Sequence, residues 1–491
     1  MAILRGFPPS NALDPGMPVE ITGEVRPSCH KGALVGFASK GAVNAVTSVR
    51  TVQELHSSFG YPHPESGESH LIYGAEQALL TLPEVLIVRV ADASLSKTAS
   101  VLVLDEAGEV SLIIQADSPG VEGNDTRVVV MTDEMAETFT LNVFHNGVQV
   151  ESWSQLTKKQ NSKYYVESFI ELVSDWIRVS SAATSKLPQN GIYSLNGGND
   201  GIPTDPDERD ILLAGSKEEL SGVYAFSEPE QVDIDLIAVP GCSSTQVIAS
   251  LLDVCESRRD CLAIIDSPVG LSYLESSLWQ RGKYENDIHW KSDFAAMFWP
   301  WLQIRDQYNR TEVTVPPSGS VMAAIARSDT LSAPWFSPTG ETRGIVSGVL
   351  DVSCRLTYEE QNLTKDNRNV VNAIVPFANA EGFMISSQKT LQRGRIDVRR
   401  MLFFVEKRIR NAADTLTPTV DMSNESFREE FAQICERVMG QVKNGGGIND
   451  YIIQTNELDT PEQAERNEFR TRIGVQPTND NKNVYIEFLF R

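Results

Sequence analysis

The densest set of residues able to hold a phosphate or a cation is Asn196-Gly197-Gly198-Asn199-Asp200-Gly201. It lacks the lysine of G-x-x-x-x-G-K-[ST] and the spacing of G-x-G-x-x-G, and Pro203-Thr204-Asp205-Pro206 follows it where we expect no helix. An EF-hand loop fails for want of the downstream glutamate. We therefore read Gly197, Gly198, Asp200 and Gly201 as a structural loop of positive-φ turns tied by Asx hydrogen bonds.

Other chemistry is thinner. His56, His63 and His70 recur every seven residues, but they straddle Tyr61-Pro62-His63-Pro64 and cannot share one helix, so we expect exposed loop positions. His30, His145 and His289 are too dispersed to complete a metal triad with them. Asp233 and Asp235 fall on one side of an expected strand, a pairing that 66 acidic residues make commonplace. There is no G-x-S-x-G elbow, and Cys29, Cys242, Cys255, Cys261, Cys354 and Cys435 are scattered without a C-x-x-C, which suits buried free thiols. No catalytic residue, cofactor site or metal site is expected. Basic residues cluster at Arg258-Arg259, at Arg393, Arg395, Arg399 and Arg400, and at Lys407, Arg408 and Arg410. Against a net charge of −23, such a strip suits attraction between copies of the chain better than attraction to nucleic acid.

The 491 residues are enough for about three domains. No run of ~18 apolar residues suggests membrane insertion, and the start carries no export signal, so we expect synthesis in a cytoplasm. The fold class is α+β and α/β, in several domains. Residues 1–25, rich in proline, read as an extended N-terminal arm. Residues 26–90 and 191–344 read as a discontinuous α/β domain: SVRTVQELHSSFG is a short helix, HLIYGAEQALLTL a second, and VLIVRV, VDIDLIAVPG and CLAIIDSP are buried strands. Residues 91–190 alternate in hydrophobicity, with an Asn146-Gly147 hairpin signal, and read as a β-rich inserted outer domain. Residues 345–475 form a C-terminal domain with two strong helices, and residues 476–491 a strand arm. In that arm Val484, Ile486, Phe488 and Phe490 share one face. Its partner edge lies either in its own domain or in a neighbouring copy.

The order of segments resembles the contractile bacteriophage tail sheath protein family over about 400 residues. TSVRTVQELHSSFG and HLIYGAEQALLTLPEVLIVRVAD resemble its early helices and strand, LNGGNDG its Leu-x-Gly-Gly-x-Asp-Gly loop, and FAAMFWPWLQIRD its aromatic Pro-Trp segment. VPPSGSVMAAIARSDTLSAPWFSP is the most specific match, and GFMISSQKTL with IDVRRMLFFVEKRI resembles the family's Thr-Leu strand and Val-Arg-Arg helix. SSQKTL lacks the Trp-Gly that commonly precedes the Thr, and SAPWFSP lacks the usual Gly before Trp.

The resemblance implies a structural protein, not an enzyme, with no cofactor. It implies hexameric rings of this chain stacked around a tail tube, a C-terminal domain completed by the N- and C-terminal arms of neighbouring subunits, and contraction that drives the tube through a host envelope. The implied partners are the chain itself, a tail tube protein, and baseplate and tail terminator proteins, with no nucleic acid and no membrane insertion. The implied place is the virion tail sheath, assembled in the host cytoplasm. In the oxidising medium outside a cell, Cys29, Cys242, Cys255, Cys261, Cys354 and Cys435 are then candidates for disulfides between subunits. Two other readings compete: an α/β enzyme using the Gly/Asp-rich loop, and a non-contractile baseplate or capsid component.

Overall fold

The computed structural model describes residues 2–4, 31–63, 69–182, 184, 186–366, 368–378, 381–414, 425–454, 469–478 and 484–490. Residues 5–25 of the expected N-terminal arm, and Cys29, lie outside the described residues.

Continuous apolar runs become strands buried on both faces. Glu84–Arg89, Lys31–Gly36, Leu236–Ala238, Leu262–Asp266, Ala295–Trp299 and Asn372–Pro376 lie side by side and all parallel. Antiparallel edge strands extend the sheet to nine: Val46–Val49 at one side, Phe383–Ile385 and then Ile345–Val346 at the other. Helices cover both faces, which is why these strands carry no polar alternation. On one face Leu55 and Phe59 of helix Val52–Phe59, Leu71 and Ile72 of His70–Ala78, and Met322 and Ile325 of Ser318–Leu331 close a core. On the other, Val247, Ile248 and Leu251 of Thr245–Arg258 pack with Tyr273 and Trp279 of Tyr273–Gln280.

The sheet corrects the expected division at residue 344. Three strands between Ile345 and Ile385 belong to the α/β sheet, because Ala373 and Ile374 are apolar enough to be buried against Trp299 and its neighbours. The C-terminal unit proper begins at the long helix Ile396–Asp414, called the docking helix below.

The insertion holds two antiparallel sheets. One is ordered Ile177–Ser181, Val110–Ala116, Ser100–Leu104, and the other Gly191–Ser194, Thr126–Asp133, Thr138–His145, Val148–Leu156. They share one core with helix Val166–Val173, through Ile114, Val128, Leu141 and Ile170. Asn146 and Gly147 form the hairpin turn, both with positive φ, 49° and 80°. The insertion extends past residue 190, since Gly191–Ser194 pairs with Thr126–Asp133.

Candidate assembly site

Both ends of the chain meet in the C-terminal unit. Its sheet is ordered Ala2–Leu4, Val484–Phe490, Phe469–Pro477, Ile448–Gln454. The terminal strand is therefore internal to the sheet: it runs antiparallel to Phe469–Pro477, with Ile486 opposite Ile473, and parallel to Ala2–Leu4, with Phe488 opposite Ile3's neighbour Ala2. Of the two partner edges left open above, the single chain uses its own. Ile486 turns inward, 3% exposed, against Ile473, Val475, Phe431 and Met439, and Tyr485 turns outward. For Val484, Phe488 and Phe490 only the backbone register is described.

The docking helix crosses the edge of the nine-stranded sheet where the parallel strands begin. Lys407 donates to Asp233 Oδ1 at 2.8 Å, to the Ile234 carbonyl at 2.7 Å and to Asp235 Oδ1 at 2.9 Å, just before strand Leu236–Ala238. Burial works against its charge, but Asp235, Asp260 and Asp233 outweigh that and raise its pKa. Arg399 pairs with Asp293 at 3.2 Å, just before strand Ala295–Trp299. Arg400 grips Asp329 with both guanidinium ends, Nη1 to Oδ1 at 2.8 Å, in a fully buried bidentate pair. Arg395 pairs with Asp397. Phe403 stacks on Phe294 with ring centres 5.6 Å apart. This corrects the reading of the helix as an outward basic strip: Arg395, Arg399, Arg400 and Lys407 are taken up within the chain. Asp233 and Asp235 are Lys407's partners, a pairing no local spacing announces.

The insertion leaves from the opposite edge. Arg89, the last residue of its strand, is 0% exposed and donates to the carbonyls of Gly41 and Pro119, both at 2.7 Å, and of Asp200 at 3.1 Å. Asp200 Oδ1 accepts from Val121 N–H at 2.7 Å, and burial raises its pKa. Asn124 closes on Gly198 through both amide atoms, at 2.8 and 3.1 Å. A Cβ on Gly198 would stand 2.2 Å from the Gly120 carbonyl oxygen, and Gly201 sits at φ 72°. The loop thus binds the root of the insertion to the sheet. A helix does begin at Pro206, contrary to expectation, but Asp205 caps it by accepting from Asp207 N–H at 3.0 Å, leaving a carboxylate where a phosphate would bind.

In open α/β sheets ligands enter where strand order reverses, here beyond Gly36 and Ala238. Several polar groups there bond one another, while the buried Ser267 hydroxyl has no partner among the described residues. Asp266, 1% exposed, accepts from Gly241 N–H at 2.9 Å and from Ser318 N–H and Oγ–H, both at 2.8 Å, and burial pushes it up to about 6. Trp301 donates to the Ser267 carbonyl at 2.8 Å. The most specific sequence motif, VPPSGS, is thereby a helix start locked to a core strand. His56 is not in a loop: it lies in helix Val52–Phe59 and bonds Glu76 at 2.7 Å. His70 opens the next helix with its ring edge-on to Trp301. Among the described residues no three of His, Cys, Asp and Glu gather as a metal-ion set. Cys255 and Cys261 are buried with sulfurs 3.6 Å apart, Cys435 is buried in the C-terminal core, and Cys242 and Cys354 are half-buried; all five are free thiols.

Fold and site define a multidomain α/β protein whose most elaborate polar constructions join its own parts. Residues 214–377 match the phage tail sheath protein central domain. The tail sheath protein of Vibrio phage KVP40 is 24% identical over 341 residues, which cover 63% of this chain and 48% of that protein. The chain thus spans about half the length of this curated relative. The sheath tail protein Lin1278 of Listeria innocua has the same fold, with a TM-score of 0.66 at 13% identity over 94% of this chain and 95% of that one. The contracted helical sheath of the anti-feeding prophage is similar at a TM-score of 0.52 and 11% identity, over 97% of this chain and 99% of that one.

Proposed function

We propose that this chain is the structural subunit of a contractile tail sheath, stacking as hexameric rings around a tail tube and shortening to drive the tube through a host envelope. The observation that carries the reading is the meeting of both chain ends in one sheet. A strand taken from either end can be supplied by a neighbour with the same register, and residues 5–30 can span up to about 90 Å when extended. Exchange of Ala2–Leu4 and Val484–Phe490 between copies would join subunits by backbone hydrogen bonds that survive rearrangement of the outer domains. The docking helix and the insertion root sit at opposite ends of the parallel strands, which suits a C-terminal mesh near the tube and an insertion facing outward. Its partners in this reading are other copies, a tube protein, and baseplate and terminator proteins, in a virion tail assembled in the host cytoplasm. Work comes from a change in subunit packing, without catalysis.

Negative-stain microscopy of the purified full chain tests this. Hollow tubes support it, and monodisperse monomers over a wide range of salt and concentration overturn it.

A further inference from the structure

The chain carries four Asn-Gly pairs, beginning at Asn146, Asn190, Asn196 and Asn444. Glycine leaves its own backbone nitrogen unshielded, so that nitrogen can reach the side-chain amide before it, and asparagine is heat-labile partly for this reason. All four asparagines are exposed, so sequence and solvent access rank them equally. The backbone around them does not. Asn190 Oδ1 accepts from Thr132 N–H, and Gly191 opens a strand with Val130 opposite. The Asn196 carbonyl accepts from Ser100 N–H at 2.9 Å and its N–H donates to the Ser100 carbonyl at 3.2 Å, which fixes the peptide joining it to Gly197. Gly445 N–H donates to the Gln441 carbonyl at 2.9 Å. Asn146 and Gly147 instead stand at a hairpin tip, past its closing pair of His145 and Val148. Among the described residues no hydrogen bond engages the Asn146 carbonyl or the Gly147 N–H, and a Cβ on Gly147 would meet nothing within 4 Å. The Asn146 amide makes one 3.2 Å contact, with His145 Nε2, whose nearer partner is Glu122 at 2.8 Å.

We propose that Asn146-Gly147 is a site of spontaneous deamidation, with water as the co-reactant. The Gly147 nitrogen loses its proton to solvent and bonds to Asn146 Cγ; the Cγ–Nδ2 bond breaks, and the departing nitrogen takes a proton from solvent and leaves as ammonia. Water then opens the five-membered imide. Attack at Cγ gives aspartate, and attack at the backbone carbonyl carbon gives isoaspartate; nothing is oxidised or reduced. The turn opposes the first step, because both residues hold positive φ, 49° and 80°, and Asn146 must rotate out of that geometry to bring Cγ over the Gly147 nitrogen. What resists the rotation is small: the tip is tied by a long bond, 3.3 Å, from Asn146 N–H to the Asp125 carbonyl, and exposed tips with few bonds open at low cost. Aspartate there sets a new charge beside Glu122, and isoaspartate adds a main-chain carbon to a two-residue turn. The tip of the insertion therefore changes with the age of the protein, whether or not the chain polymerises.

The test follows the full chain at neutral pH over weeks, with peptide mapping by mass spectrometry and chromatographic separation of isoaspartate giving a rate at each of the four asparagines. Asn146 should convert about tenfold faster than Asn190, Asn196 or Asn444, the difference lying in the cost of local opening. In urea strong enough to unfold the chain the four rates should draw together, since the ranking comes from the fold. Gly147→Ala puts a methyl group beside the attacking nitrogen; it should slow conversion at Asn146 several-fold and leave the other three rates unchanged. A folded chain in which any of the other three converts as fast as Asn146 overturns the site. So does a folded chain that leaves Asn146 intact while the urea sample converts it, which would show the turn to be protective. An unchanged rate at Asn146 in Gly147→Ala overturns attack by this nitrogen.

Discussion

Arg89 donates from Nη2 to the backbone carbonyl of Asp200 at 3.1 Å, joining the last residue of a core strand to the loop where the chain returns from the insertion, 111 residues later. Gly41 and Pro119 carbonyls take the other end of the same guanidinium. One buried cation therefore collects the end of its own strand, the loop after strand Lys31–Gly36, a turn inside the insertion and the insertion's exit. Burial lowers its pKa to about 10, so it stays charged at neutral pH.

Replacing Arg89 by alanine should cost about 3–5 kcal/mol, the range for stranding buried polar partners. Three carbonyls would lose their donor inside a dry junction. Thermal unfolding measures the loss, and limited proteolysis should locate new cleavage at the insertion root near residues 117–121 and 196–201. Cleavage patterns identical to wild type would contradict the junction role.

Gly198 and Gly197 are adjacent but should respond differently to alanine. At Gly198 the new methyl would meet the Gly120 carbonyl at 2.2 Å, whereas at Gly197 it meets nothing within 4 Å and only φ 82° opposes it. Gly197→Ala should cost about 1–2 kcal/mol, and Gly198→Ala clearly more, because backbone must move. Urea midpoints of the two variants decide the order.

Glu406 makes stability depend on pH in a definite direction. Burial, opposed by Arg259, Arg410 and Arg399, pushes its carboxyl up to about 7 from an ordinary 4.5. The folded chain therefore binds this proton more tightly than the unfolded chain. The contribution is most favourable below about 4.5 and is lost as pH rises through about 7. Glu406→Gln, which cannot ionise, should be stabilising by up to about 3 kcal/mol at pH 8 and nearly neutral at pH 4. Melting temperatures at the two pH values check the sign.

Deleting Asn483 to Arg491 removes an internal strand of the C-terminal sheet. Polymerisation should be lost, while the nine-stranded sheet, which shares no hydrogen-bonded pair with that strand, should keep its amide protection in hydrogen exchange. Loss of protection throughout both units would show that the C-terminal unit holds up the α/β core.

Local pattern accounts for much of what was legible beforehand. The helix Val52–Phe59, the apolar strands Glu84–Arg89 and Leu262–Asp266, and the turn at Asn146-Gly147 follow from periods of 3.6 and 2 and from turn chemistry, all of which operate within about ten residues. The loop at Gly197–Gly201 was readable as a turn, but its anchor, Arg89, gave no local signal, since an arginine ending a strand looks like any solvated charge. The docking helix was harder. Basic residues on the docking helix read as an exposed strip because helical spacing orders faces without saying which face is covered.

The sequence by itself determined most of the strands and helices, that the insertion is β-rich, and which family the order of segments resembles. Tertiary structure alone decided that Ile345–Ile385 joins the large sheet, that the terminal strand lies between Phe469–Pro477 and Ala2–Leu4, and that Lys407 meets Asp233, 174 residues away. Periodicity is a property of neighbouring residues, and the choice of strand edge or counter-charge depends on which surfaces burial brings into contact.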